Sequence, residues 1–146
     1  MTGVHIAIGV GMVAVNLLAT LVGAYQWWRA PHARLFWPLL RTGQALTVLA
    51  AADGLILVLG GHELPELHLI YGLTPIGVSF LAEQLRLASA DTVLAARDLE
   101  DAQAMRGLPE REQHAIVHQI IRREVGVMAA SAFVVAVLGL RAGAWL

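Results

Sequence analysis

His5 and His68 are the side chains whose type and placement suggest shared chemistry. Each stands near the start of an apolar stretch and heads a stripe at helical spacing. A helix turns about 100° per residue, so His5, Gly9, Met12, Asn16 and Gly23 share one face. By the same rule His68, Tyr71, Gly72, Pro75, Ser79 and Arg86 share another. Two imidazoles at matched depth on facing helices can ligate the iron of a b-type haem from both sides. Gly9 and Gly72, beside them, would leave room for a flat macrocycle, and such a pocket points to electron transport. Met12 lies on the His5 stripe as an alternative axial ligand, although a methionine there more simply fills a packing gap.

Asp53 and Tyr71 complete the candidate cofactor residues. A carboxylate among apolar residues needs a partner, and His5, His68 and Tyr71 are the candidates by depth. The stretch GGHELPELH adds His62, Glu63 and Glu66. Together with His5 and His68 these donors suit a divalent metal as the alternative to haem. The plainer alternative is a pair of neutral histidines near the headgroups, one of them bonded to Asp53.

Two further groups have chemical potential. His114 and His118 are spaced i to i+4, share a face with Glu110, and could take a metal if a third ligand arrived. A hairpin folded at Gly107–Pro109 would bring Asp101 towards His114 and Asp98 towards His118. Without the H-E-x-x-H order, hydrolysis gains no support. Arg41, Gln44 and Thr47, with Glu83 and Arg86, form a polar collar: either a proton path leading to Asp53 or ordinary ion pairing at headgroup level.

The elements that must position these groups are apolar helices. The chain has 146 residues, 58% hydrophobic and 14% charged, with mean hydropathy +0.66. Soluble domains carry about 25% charged residues. Four stretches, residues 4–25, 39–59, 65–86 and 122–141, approach the roughly 20 apolar residues that a bilayer crossing needs. No arginine precedes the first, so we expect a spanning helix there and not a cleaved leader. Net charge is −1 with no basic cluster, which gives nucleic acid no footing. Without cysteine the chain forms no disulfide, iron–sulfur cluster or thiolate zinc site of its own.

The arginines orient the bundle. The connections after the first and third stretches hold them, and the connection after the second has none. The positive-inside rule then places both termini and the GGHELPELH segment outside. Trp27, Trp28 and Trp37 suit an inner aromatic belt and Trp145 an outer one. Residues 83–124 are rich in helix formers. Leu85, Ala88, Thr92, Ala95, Leu99 and Ala102 recur at steps of three and four, which predicts a coiled-coil seam.

The expected fold is therefore all-α: one multi-pass domain in the cell membrane, a four-helix bundle whose third and fourth helices extend into a cytoplasmic antiparallel hairpin over residues 87–121. Its partners are the bilayer and, through the hairpin, a second copy or a larger complex. Beside the haem or metal protein stand a non-catalytic accessory subunit and a small dimeric proton-coupled transporter using Asp53.

Overall fold

The computed structural model describes residues 3–29 and 34–144. Four helices carry them: α1 (Gly3–Arg29), α2 (Phe36–Leu59), α3 (Glu66–Ala95) and α4 (Glu110–Gly143). A short 3₁₀ turn, Ala104–Gly107, precedes α4. No strand occurs among the described residues. Helices α1, α2 and α4 are long and apolar enough to cross a membrane. Helix α3 is not among them; Glu66, Glu83, Arg86 and Asp91 are spread along it. Trp145 lies outside the described residues.

Helix α1 packs along α2 on one side and α4 on the other. Helix α4 packs in turn along α3, while α2 and α3 barely touch. In cross-section the order is α2, α1, α4, α3, a ring left open between its first and last members. The main core joins Ala19, Phe36, Leu40, Ala82, Met128 and Ala129. Its tightness depends on glycine. A Cβ on Gly23 would sit 2.6 Å from the Phe36 ring and 2.7 Å from the Ala129 Cβ. One on Gly43 would sit 2.9 Å from the Asn16 carboxamide, and one on Gly126 2.9 Å from the Trp27 indole. Small residues let helices approach this closely, which is how packing is won where the solvent is itself apolar.

Two helix ends share one device. At the end of α2, His62 N–H donates to the Leu57 carbonyl and Gly61 N–H to the Val58 carbonyl, with Gly61 at φ 84°. This is a Schellman motif, and glycine takes the left-handed position at no steric cost. At the end of α3, Leu99 N–H donates to the Leu94 carbonyl and Asp98 N–H to the Ala95 carbonyl. Here Asp98, at φ 56°, takes the left-handed position. Leu99 folds back onto a small core of Val93, Leu94 and Ile116.

That turn corrects two expectations. Helix α3 stops at Ala95, well before Gly107, because Asp98 does what a glycine usually signals. The coiled-coil seam also lies on another row. Leu85, Ala88, Thr92 and Ala95 are exposed, and α3 turns Ala82, Ser89 and Val93 inward. Ser89 marks the true seam without looking apolar, since its hydroxyl donates to the Leu85 carbonyl at 2.9 Å and needs no partner across the interface.

Candidate cofactor site

The start of α1, the end of α2, the start of α3 and the end of α4 meet at one end of the bundle, around a cleft of ≈ 840 Å³. Its walls are almost wholly apolar, and every helix contributes glycine to them: Gly9, Gly54, Gly72, and Gly139 with Gly143. A Cβ on Gly9 or Gly72 would meet nothing within 4 Å. The volume lies in the upper part of the range for small-molecule sites, roughly 300–1,000 Å³.

Both histidines line this cleft and meet in it. His5 is 9% exposed and His68 7%, and their ring centroids are 5.9 Å apart with planes 53° from parallel. Helices α1 and α3 run the same way from this end, so a histidine near each start comes to one level. The packing behind each ring fixes its proton. His5 Nδ1 lies 3.0 Å from Asp53 Oδ2. Gly54, next along α2, packs beside the ring: a Cβ there would come 3.4 Å from His5 Cε1, an ordinary van der Waals distance. His68 Nδ1 lies 3.2 Å from the carbonyl oxygen of Ala142, in the last turn of α4.

A carbonyl oxygen only accepts, and so does an ionised carboxylate. Nδ1 of His68 therefore donates to Ala142, and Nδ1 of His5 donates where the Asp53 carboxylate is ionised. In a neutral imidazole that leaves the lone pair on Nε2. Neither Nε2 has a hydrogen-bond partner among the described residues. Nor is either sealed in protein: among those residues the one buried side-chain polar atom without a partner is Gln26 Oε1. Both rings line the cleft.

The remaining candidates divide. Asp53 pairs with His5, and neither His68 nor Tyr71 is its partner. Tyr71 lines the cleft half-buried, and its hydroxyl has no hydrogen-bond partner among the described residues. Met12 is buried where a Cβ on Gly139 would strike it, as a gap-filling side chain would be. His62, Glu63 and Glu66 are exposed. Among the described residues no three or more histidines and carboxylates converge to hold a metal. His114 and His118 are likewise exposed, and His114 has only Glu110 near it, at 3.6 Å. The Asp101 carboxylate instead accepts the N–H groups of Gln103 and Ala104, at 2.8 and 2.9 Å.

The polar collar forms at the other end of the bundle. Glu83 binds Arg41, accepts from Gln44 at 3.0 Å and takes Arg86 Nε at 2.8 Å. Arg41 and Arg86 flank the Trp37 ring at 5.9 and 5.8 Å. Thr47 turns away to its own helix, donating to the Gly43 carbonyl. Two groups escaped the sequence reading. A backbone acceptor such as Ala142 O leaves no trace in residue type, and Gly54 reads as one more membrane glycine.

No family model matches the chain, and neither a curated protein nor a solved structure resembles it closely enough to match.

Proposed function

We propose that this is a four-span membrane protein that holds a b-type haem between His5 and His68 near the extracytoplasmic face and passes single electrons through it. One observation carries the reading: two buried imidazoles, each bonded through Nδ1 and with no hydrogen-bond partner on Nε2 among the described residues, line one apolar cleft at a suitable spacing. Metal–imidazole bonds of about 2 Å, plus about 1 Å from nitrogen to ring centre on each side, would put two rings that share one metal roughly 6 Å apart. The observed separation is 5.9 Å. Metal-binding histidines characteristically donate their other N–H to a carboxylate or a backbone carbonyl, the two acceptors found here.

When bound, the haem supplies a one-electron ferric–ferrous couple. The chain supplies the rest. Asp53 and the Ala142 carbonyl hold both rings against rotation. The negative charge behind His5 strengthens that ring as a donor and favours the oxidised iron. The apolar walls keep water from the centre, and Gly9 and Gly72 leave space for the macrocycle. The arginine distribution supports an outer position for the site and an inner one for the hairpin. Helix α3 packs along α4 and begins at the level where α4 ends, which supports a fourth crossing.

The test is spectroscopic. Protein purified after haem supplementation should show the Soret and α bands of six-coordinate b haem. His5→Ala and His68→Ala should each abolish them. A colourless wild-type protein would overturn the reading.

The hairpin favours a second reading, an accessory subunit. It has its own small core, and its Leu85, Ala88, Thr92 and Ala95 row faces outward. Co-purification of one stable partner, lost when that row is changed to glutamates, would support it.

A further inference from the structure

We infer that a second hollow, between α2 and α3 at the collar end, binds one anionic phospholipid, with its phosphate on Arg41 and Ser79 and the start of its chains along Val48 and Ile76. This rests on the membrane part of the reading above and not on the haem. Helices α2 and α3 barely touch, and the hollow between them measures ≈ 250 Å³. That is less than the roughly 300–1,000 Å³ that houses a whole small molecule. It suits one part of a larger molecule whose remainder lies in the bilayer. The lining is graded along the helix axes, with Arg41 and Glu83 at one end and Val48 and Ile76 at the other. From Arg41 to Val48, and from Ile76 to Glu83, each helix rises about 10 Å. Charge gives way to apolar surface over that distance, as it does between the head of a lipid and its first methylenes.

The unspent hydrogen-bonding groups select the head. Glu83 is already answered by Arg41, by Gln44 at 3.0 Å and by Arg86 at 2.8 Å. Gln44 gives its amide to Glu83 and its oxygen to Arg41. Thr47 donates into its own helix. The groups left over are donors. Arg41 bonds through Nη1, so its Nε and Nη2 meet no acceptor among the described residues, and its side chain is half exposed. The half-buried Ser79 hydroxyl likewise has no partner there. Nε and Nη2 form one edge of the guanidinium fork, and such an edge holds two phosphate oxygens at once. Charge agrees: Arg41 and Arg86 both pair with the single Glu83, which leaves the collar one positive charge in excess. An ammonium head finds no unpaired carboxylate in the hollow, so an anionic lipid is preferred to a zwitterionic one. Basic pockets between spanning helices on the cytoplasmic side hold anionic heads in this way. The arginine distribution supports that side for the collar.

Native mass spectrometry and thermal unfolding read this site without any cofactor. Delipidated protein in detergent is titrated with phosphatidylglycerol, with phosphatidylcholine of the same chains, and with inorganic phosphate. Phosphatidylglycerol should add one lipid per chain and raise the unfolding midpoint to a plateau. Phosphatidylcholine should need roughly fivefold more, the worth of one charge near the surface, and inorganic phosphate should do neither. Arg41→Gln should weaken phosphatidylglycerol binding roughly tenfold or more, by removing the charge-assisted pair. That change also unsettles Glu83, so Ser79→Ala serves as the second variant. It leaves the ion pairs whole and should weaken binding roughly three- to tenfold. Arg111→Gln removes an equal charge from the exposed surface of α4 and should change nothing. Equal binding of the two lipids, Ser79→Ala without effect, or an equal loss from Arg111→Gln overturns the inference. Stabilisation by inorganic phosphate to the same plateau overturns it too, since the site would then hold a free anion. A chain that stays in solution without detergent overturns the membrane reading, and this inference with it. Protein that binds the lipid and takes up no haem overturns the haem reading alone.

Discussion

Glycines at the two ends of the bundle do opposite things. At the collar end, Gly23, Gly43 and Gly126 are pressed by a neighbouring side chain at 2.6 to 2.9 Å from where a Cβ would stand. At the histidine end, Gly9 and Gly72 face nothing within 4 Å. Gly139, at the same end, is packed as tightly as the collar glycines, with Met12 against where its Cβ would stand, so the open positions are those of α1 and α3. In the first case the missing methyl is filled by a partner helix. In the second it is left as room, and cores do not leave such room without cost. The room at Gly9 and Gly72 lies beside His5 and His68, which line the same cleft.

Substitutions at these glycines test the contrast, and the largest effect should come from filling the hollow. Gly72→Phe should abolish haem uptake, read as loss of the Soret band, while the protein remains helical by circular dichroism. Retained absorbance would mean that the cleft is not where the cofactor sits. Next, Gly23→Ala should destabilise the fold by about 2 kcal/mol, since the Phe36 ring and Ala129 have to shift to admit the methyl. Unfolding in detergent measures it, and an unchanged midpoint would show that the core is looser than its contacts imply. The identical change at the other end, Gly72→Ala, should instead stabilise by up to about 1 kcal/mol, because alanine is the better helix former and nothing obstructs it. Opposite signs sharpen the comparison; equal signs break it. The smallest effect lies beyond both ends. Asp98→Gly should add about 0.5 kcal/mol by relieving a left-handed aspartate, without altering the absorption spectrum.

Much of this was legible in the residues. Four helices followed from hydropathy, and the meeting of His5 and His68 followed from the periodicity of two stripes together with equal depth. The Glu83 collar was readable as opposite charges on neighbouring helices. The misreadings also have physical causes. A serine that bonds to its own helix hides a buried face, so the seam through Ser89 was passed over for the more apolar row at Leu85. An aspartate in the left-handed position hides a helix end, so α3 was carried too far. The pairing of Asp53 with His5 among three candidates depends on how far α2 leans on α1. That lean is a matter of helix packing, which no periodicity announces. The anchor of His68 is a backbone atom and has no letter in the sequence.

The ring order also bears on how the protein is assembled. Synthesis delivers α1, α2 and α3 before α4. The first two pair at once, but α3 finds little to hold on to, since α2 barely meets it and its main neighbour has not yet been made. It also carries more charged side chains than α1 or α2. The last helix to emerge must slot between the first and the third, joining residues more than a hundred positions apart such as Gly23 and Ala129. Until it does, the third helix waits almost unaccompanied, and the pocket that needs both His68 and the closing turn of α4 does not yet exist. Any cofactor held there would therefore be acquired only after α4 has been made and has packed against α3.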